Sequence, residues 1–335
     1  MSESNGATPV LSVRDLHVWF DLSEGRELHA VQGIDLDLLP GERLGLVGES
    51  GCGKTTSILA VMGLLPSSAA VAGQVMLNGT DIMAGGEDTV SPHRWKDIAM
   101  VFQGAMNAFN PVKRIGEQIA EPMRLHDVAS GKEARKQVGE LLELVGISAN
   151  RQDRFPHEFS GGMRQRAAIA MALACNPKVL LADEPTTALD VMVQAQILDL
   201  LVSLTNELGL AMILVTHDLP VVAQVCKRAA VMYAGKIVEQ GATDTLFHEP
   251  RHPYTRMLFQ ATPDLYGDDA VLSIPGAPPR LDRVLTGCPF APRCDSAFHP
   301  CLLEAPEERE VGEAHVASCH RNDPAHAAEA AAVVV

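Results

Sequence analysis

Residues 11–20, LSVRDLHVWF, alternate apolar and polar side chains, the two-residue period of a half-buried strand. IDLDLL at 34–39 alternates again, and after a PGE turn RLGLVG at 43–48 reads as a buried strand. GQVMLNG at 73–79 predicts a strand with an Asn-Gly turn, and IAMVFQ at 98–103 another strand. KVLLADEP at 178–185 and LAMILVTH at 210–217 are short apolar runs of strand length, and 229–241 reads as a hairpin. Between them the spacing predicts helices over 54–65, within 115–146, after the Gly-Gly pair at 161–162, and over 191–208. Apolar strands alternating with helices predict an α/β fold with a largely parallel sheet, and 106–177, without a strand signal, a helical insertion. After about residue 250 Pro, Gly, Cys and His become dense, IPGAPPR at 274–280 reads as a linker, and the low-complexity tail at 321–335 is expected to fray.

A chain of 335 residues can hold two or three structural units. Its net charge of −15 disfavours broad attraction to nucleic acid or to an anionic membrane. No apolar run reaches the roughly 18 residues of a membrane span, and MSESNGATPV has neither the basic start nor the apolar stretch of a secretory signal. The expectation is a cytosolic protein that reaches a membrane through partners. Seven cysteines, an odd number, argue against a disulfide framework there; Cys175 and Cys226 fall in apolar helical patterns and read as buried thiols.

GESGCGKTT at 48–56 fits G-x-x-x-x-G-K-[ST] between a predicted strand and a predicted helix. Starting from Gly48, the backbone of Ser50, Gly51, Cys52, Gly53, Lys54, Thr55 and Thr56 would wrap the phosphates. Lys54 would meet the β- and γ-phosphates and Thr55 would offer its hydroxyl to Mg²⁺. Hydrolysis also needs a metal partner and a group that orients water. VLLADEP places Asp183 and Glu184 at the end of an apolar strand, Asp183 for Mg²⁺ and Glu184 as base. Gln103 and His217 end two other strands, where each alone would be an ordinary polar terminus.

Together these motifs resemble the ATP-binding subunits of ABC transporters over residues 10–250. FSGGMRQR at 159–166 is similar to the signature motif, MVFQ carries the glutamine loop, TALD the D-loop and LVTHD the switch histidine. The resemblance implies a P-loop ABC ATPase fold, a RecA-like core of mixed sheet plus a helical subdomain over 106–177, in a domain spanning 1–250. It implies catalytic roles for Glu184, His217 and Gln103, with Gln103 also near Mg²⁺, and ATP held head-to-tail between two subunits. Ser160, Gly161, Gly162 and Met163 would act across that dimer, where a helix N-terminus favours a γ-phosphate; Asp190 belongs to the D-loop. Met163 stands where the signature usually has Gln. Phe20 matches the adenine-stacking position, with Trp19 the alternative.

Finer wording, VGESGCGKTT, MVFQGAMNAFNPV, FPHEFSGGMRQRAAIAMAL and FHEPRHPYTRMLFQATP, resembles the oligopeptide/dipeptide importers and their nickel-transporting relatives, on the side of the D-type ATPase. That resemblance implies an F-type ATPase partner, two permease subunits, an extracytoplasmic binding protein, and a place on the cytoplasmic face of the membrane. Met106, Ala108 and Phe109 would floor a groove for a permease helix, or simply pack a loop. A soluble ABC ATPase acting on DNA or ribosomes is the competing class, and one cassette, no sustained heptads and a strongly acidic composition count against it.

Cys288, Cys294, Cys301 and Cys319 have the spacing C-x5-C-x6-C-x17-C, without the close pair that structural zinc favours. Separate thiolates suit a bulkier iron–sulfur cluster. The importer branch is similar here, and the resemblance implies a small Cys-rich C-terminal extension, 251–320, holding a [4Fe–4S] cluster. Zinc with His299, His315 or His320 is the alternative.

Overall fold

Val179–Asp183 is buried at every position because it runs between two parallel neighbours, Ile98–Val101 and Ala211–Thr216. With both faces covered and both edges paired, such a strand has no polar side, so its sequence is a continuous apolar run. The structure, a computed structural model, describes residues 8–104, 108–261, 273–283 and 285–333. Its residues fall into two compact units, one from the stretches 1–12, 37–43 and 75–215, the other from 13–36, 44–74 and 216–335.

The first unit holds these three parallel strands and, as the missing strand signal predicts, a wholly helical stretch. Ile115–Leu125 and Gly131–Leu144 pack on each other, and Ile115, Ile119, Ala134 and Val138 are buried. Both also contact Gly161–Ala172, whose N-cap Ser160 accepts a bond from the Met163 N–H at 3.3 Å. Val191–Leu208 begins at the predicted residue because the Asp190 carboxylate caps it, accepting from the Val193 N–H at 3.0 Å. It ends at Gly209, whose left-handed backbone is that of a helix C-terminus.

In the second unit, Arg43–Val47 runs parallel to Arg228–Tyr233, which turns back as Lys236–Ala242. The sequence places this hairpin last, but two strands from the far end of the chain follow it in space. His315–Ala317 pairs antiparallel with Lys236–Ala242 in the register Glu239↔Ala317, and Arg309–Gly312 pairs with His315–Ala317 in turn. The boundary expected at residue 250 is therefore not where the compact units divide: residues after 250 cluster with 13–36 and 44–74.

The seam is fixed by buried polar groups. Glu239, 1 % exposed, accepts the N–H groups of Arg251 (2.6 Å) and His252 (3.0 Å) and bonds His315 Nε2 at 2.8 Å. Burial pushes the His252 pKa down to about 3. The ring is then neutral, and its Nδ1 accepts the Tyr254 N–H at 3.0 Å to cap Pro253–Gln260. Tyr233, Tyr254 and Phe290 form an aromatic cluster with centroid separations of 4.5–5.3 Å. The tail expected to fray departs from that reading: Ala327–Ala332 is helical, and Ala330 packs with Ala291, Phe298 and Cys301. Small alanines let this short helix sit close, a contact that composition alone does not reveal. Among the described residues no helix is long and apolar enough to cross a membrane.

Candidate functional site

The phosphate loop leaves the buried strand Arg43–Val47 and enters Lys54–Val61. Its glycines are required by geometry. Gly48 has φ 150°, and a Cβ there would lie 2.1 Å from the Met232 carbonyl oxygen; Gly53 has φ 109°, with Ala30 O at 2.7 Å. Ser50 and Gly51 are exposed, while Lys54 is buried and donates to Gly48 O at 2.8 Å and Glu49 O at 2.9 Å. Its ammonium thus spans the loop it would share with a triphosphate. Cys52 is buried, its thiol pKa raised by desolvation and lowered in part by Lys54, 3.6 Å away. Thr55 and Thr56 open the helix at half-buried positions.

In the other unit, the carboxylate of Glu184 accepts from Gln103 Nε2 at 2.8 Å and from the Thr187 hydroxyl at 2.9 Å, both on Oε2. Its N–H donates to Val215 O at 2.8 Å, and its φ of 42° is left-handed, unusual for a non-glycine residue and frequent where a side chain must be aimed. Asp183 beside it is buried, the last residue of its strand. The family resemblance assigns Gln103 and Glu184 to one site, and the two are hydrogen-bonded; it misses Thr187, which is legible only as the residue three positions on in EPTT. His217 lies exposed, directly after Thr216.

Ser160 is exposed, and Gly161, Gly162 and Met163 are half-buried. Gly162 has a reason within its own chain: a Cβ there would meet Val193 Cγ1 at 2.6 Å, so glycine lets Gly161–Ala172 approach Val191–Leu208. Phe20 is half-buried near the end of Leu11–Asp21. Trp19 stacks on His29 at 4.7 Å and His17 at 5.2 Å, so its face is already used within the sheet. Phe109 is buried and Ala108 exposed; Met106 lies outside the described residues.

None of the seven cysteines is in a disulfide. Cys175 and Cys226 are buried, as read from their helical patterns. Among the last four, Cys288 N donates to Cys301 O at 2.8 Å. Burial raises the thiol of Cys294 to about 11 and of Cys319 to about 12. Cys301 belongs to a small apolar cluster with Ala291, Phe298 and Ala330, and Cys288 packs against it. Of the histidines considered for zinc, His315 is bonded to Glu239, His299 is exposed, and His320 bonds Glu304 O at 2.9 Å; Glu304, His320 and His326 bring ligand atoms within 4.8 Å of one another.

A phosphate loop, a strand-end acid pair with its glutamine, and a Ser-Gly-Gly helix start define the class, and known proteins agree. The family described as "ABC transporter" matches residues 31–187. The solved dimer of the ATP-binding cassette MJ0796, in a post-hydrolysis state with ADP and Pi, has a TM-score of 0.62 and 28 % identity, covering 70 % of this chain and 98 % of that one. CbiO1 from Clostridium perfringens, part of the ABC transporter complex CbiONQ, gives 0.60 and 31 %, covering 72 % and 91 %. The chain belongs to the ATP-hydrolysing subunits of ABC transporters. Within them, residues 238–301 match the "Oligopeptide/dipeptide transporter, C-terminal region". The dipeptide transport ATP-binding protein DppD of Bacillus subtilis is 44 % identical, covering 94 % of this chain and 95 % of that protein. The oligopeptide transport ATP-binding protein OppD of Mycobacterium tuberculosis is 46 % identical over 94 % of this chain and 52 % of its own length.

Proposed function

We propose that this chain is the ATP-hydrolysing, D-type subunit that powers import of oligopeptides or dipeptides. The observation that carries the reading is the combination of a full set of ATPase residues with the oligopeptide/dipeptide C-terminal region in one chain. In this reading Lys54 and the loop amides hold the triphosphate, and Thr55 and Asp183 hold Mg²⁺. Glu184, held by Gln103 and Thr187, orients the attacking water, and His217 contacts the γ-phosphate. The Ser160 helix start completes the site of an F-type partner, and Asp190 lies at the same junction. Two permeases anchor the pair at the cytoplasmic face of the membrane and an extracytoplasmic binding protein delivers the peptide. ATP favours the closed dimer and hydrolysis reopens it, so closure drives the permeases.

Deleting the gene is expected to abolish uptake of labelled di- to pentapeptides, with rescue by the wild-type chain and none by Lys54→Ala. Intact peptide uptake together with lost nickel uptake would transfer the chain to the nickel importers.

Cys288, Cys294, Cys301 and Cys319 are the residues that would hold a [4Fe–4S] cluster, whose contribution is to staple a core-poor extension. The ATP site is complete without it. Anaerobically purified protein is expected to be brown, with iron and acid-labile sulfide each near about four per chain, and Cys319→Ser to lose most of both. A colourless sample with stoichiometric zinc would overturn the cluster.

A further inference from the structure

Arg293 sits in CPFAPRC, between two of the cysteines, and neither the ATPase chemistry nor the thiol set uses it. Its side chain is 4 % exposed, a costly place for a permanent charge unless every donor is met. Nη1 and Nη2 fork onto the two carboxylate oxygens of Glu49 at 2.6 and 2.9 Å. Nε donates to Pro275 O at 2.8 Å, and Nη1 also reaches the Tyr233 hydroxyl at 3.3 Å. Such a planar, two-bond match fixes direction as well as distance, which a lysine could not do.

Glu49 is the residue directly after Gly48 in the phosphate loop, and it is held at three points. Arg293 takes its carboxylate, the Tyr254 hydroxyl accepts its N–H at 2.9 Å, and Lys54 donates to its carbonyl. Both Arg293 and Tyr254 belong to the chain after residue 250. The loop's amides bind phosphate only when they converge, so a shift at Glu49 is carried to Ser50 and Gly51. Arg293 also neutralises a carboxylate standing beside the place where a polyanion must enter.

We propose that Arg293 is a positioning residue for ATP binding: from the cysteine-rich C-terminal segment it holds Glu49, and with it the phosphate loop, in the shape and charge state that receive the triphosphate. The proposal needs only the ATPase; it does not depend on the transported solute or on the cluster.

A double-mutant cycle on the full-length chain, read by equilibrium titration with a fluorescent ATP analogue, tests it. Arg293→Gln is expected to weaken binding about ten-fold and Glu49→Gln about three-fold, while the double variant stays near three-fold, far from the roughly thirty-fold product of independent effects. In turnover, Arg293→Gln raises KM with kcat nearly unchanged, the mark of lost binding alone. A double variant as weak as that product, or Arg293→Gln within two-fold of wild type, would overturn the proposal. Should Arg293→Gln fail to fold, Glu49→Ala probes the loop from its own side. Amide hydrogen exchange at residues 50–53 is expected to accelerate several-fold without nucleotide, and unchanged protection would refute the clamp.

Discussion

Glu184→Gln leaves nucleotide binding within a few-fold of wild type and lowers ATP hydrolysis about a thousand-fold, in the range that loss of a positioned general base produces. The Gln103 amide and the Thr187 hydroxyl both donate to Glu184 Oε2. A glutamine oxygen can accept the same two bonds, so the arrangement survives while the charge that draws a proton from water is gone. Held before hydrolysis, the variant is expected to accumulate as a closed dimer with ATP. Steady-state ATPase rates of the assembled transporter and size-exclusion of the ATP-bound subunits check both outcomes. Hydrolysis within a few-fold of wild type would remove Glu184 from the catalytic role.

Lys54→Ala is expected to weaken ATP binding at least a hundred-fold, as measured by titration of the purified chain. A charge-assisted bond to phosphate in a partly desolvated site is worth about 1.5–3 kcal/mol, and a lysine that meets both the β- and γ-phosphates would make more than one. Without nucleotide the ammonium already rests on Gly48 O and Glu49 O, so the variant also removes an internal brace of the loop. Lys54→Arg keeps the charge but adds bulk where the head group is buried, and is expected to fail as well. Binding unchanged in Lys54→Ala would contradict the phosphate-loop assignment.

Much of this site is legible in the order of residues. The strand Val179–Asp183 has a continuous apolar signature because it is covered on both faces, and the acids that follow it mark the sheet edge. Asp190 stops one pattern and caps the next at the predicted residue. Gly48 and Gly53 are demanded by backbone geometry, and that demand shows in sequence as glycine. Less visible are contacts whose partners are remote. The chain from Glu27 to Gly33 carries no clean alternation, yet it belongs to the strand Glu27–Leu38, the edge strand hydrogen-bonded to Leu11–Asp21. His315 has the chemistry of a metal ligand, but Glu239, 76 residues earlier, claims its ring.

The sequence by itself determined the ATPase. The phosphate loop, the strand-end acids and the signature helix are short motifs, shaped by backbone turns and helix ends that near neighbours form. Only the tertiary structure decided where the C-terminal segment meets the rest of the chain. Its strands extend the Lys236–Ala242 hairpin, and its Arg293 meets Glu49 across 244 residues of chain. Ion pairing and strand register depend on distance in space, and no local period encodes that distance.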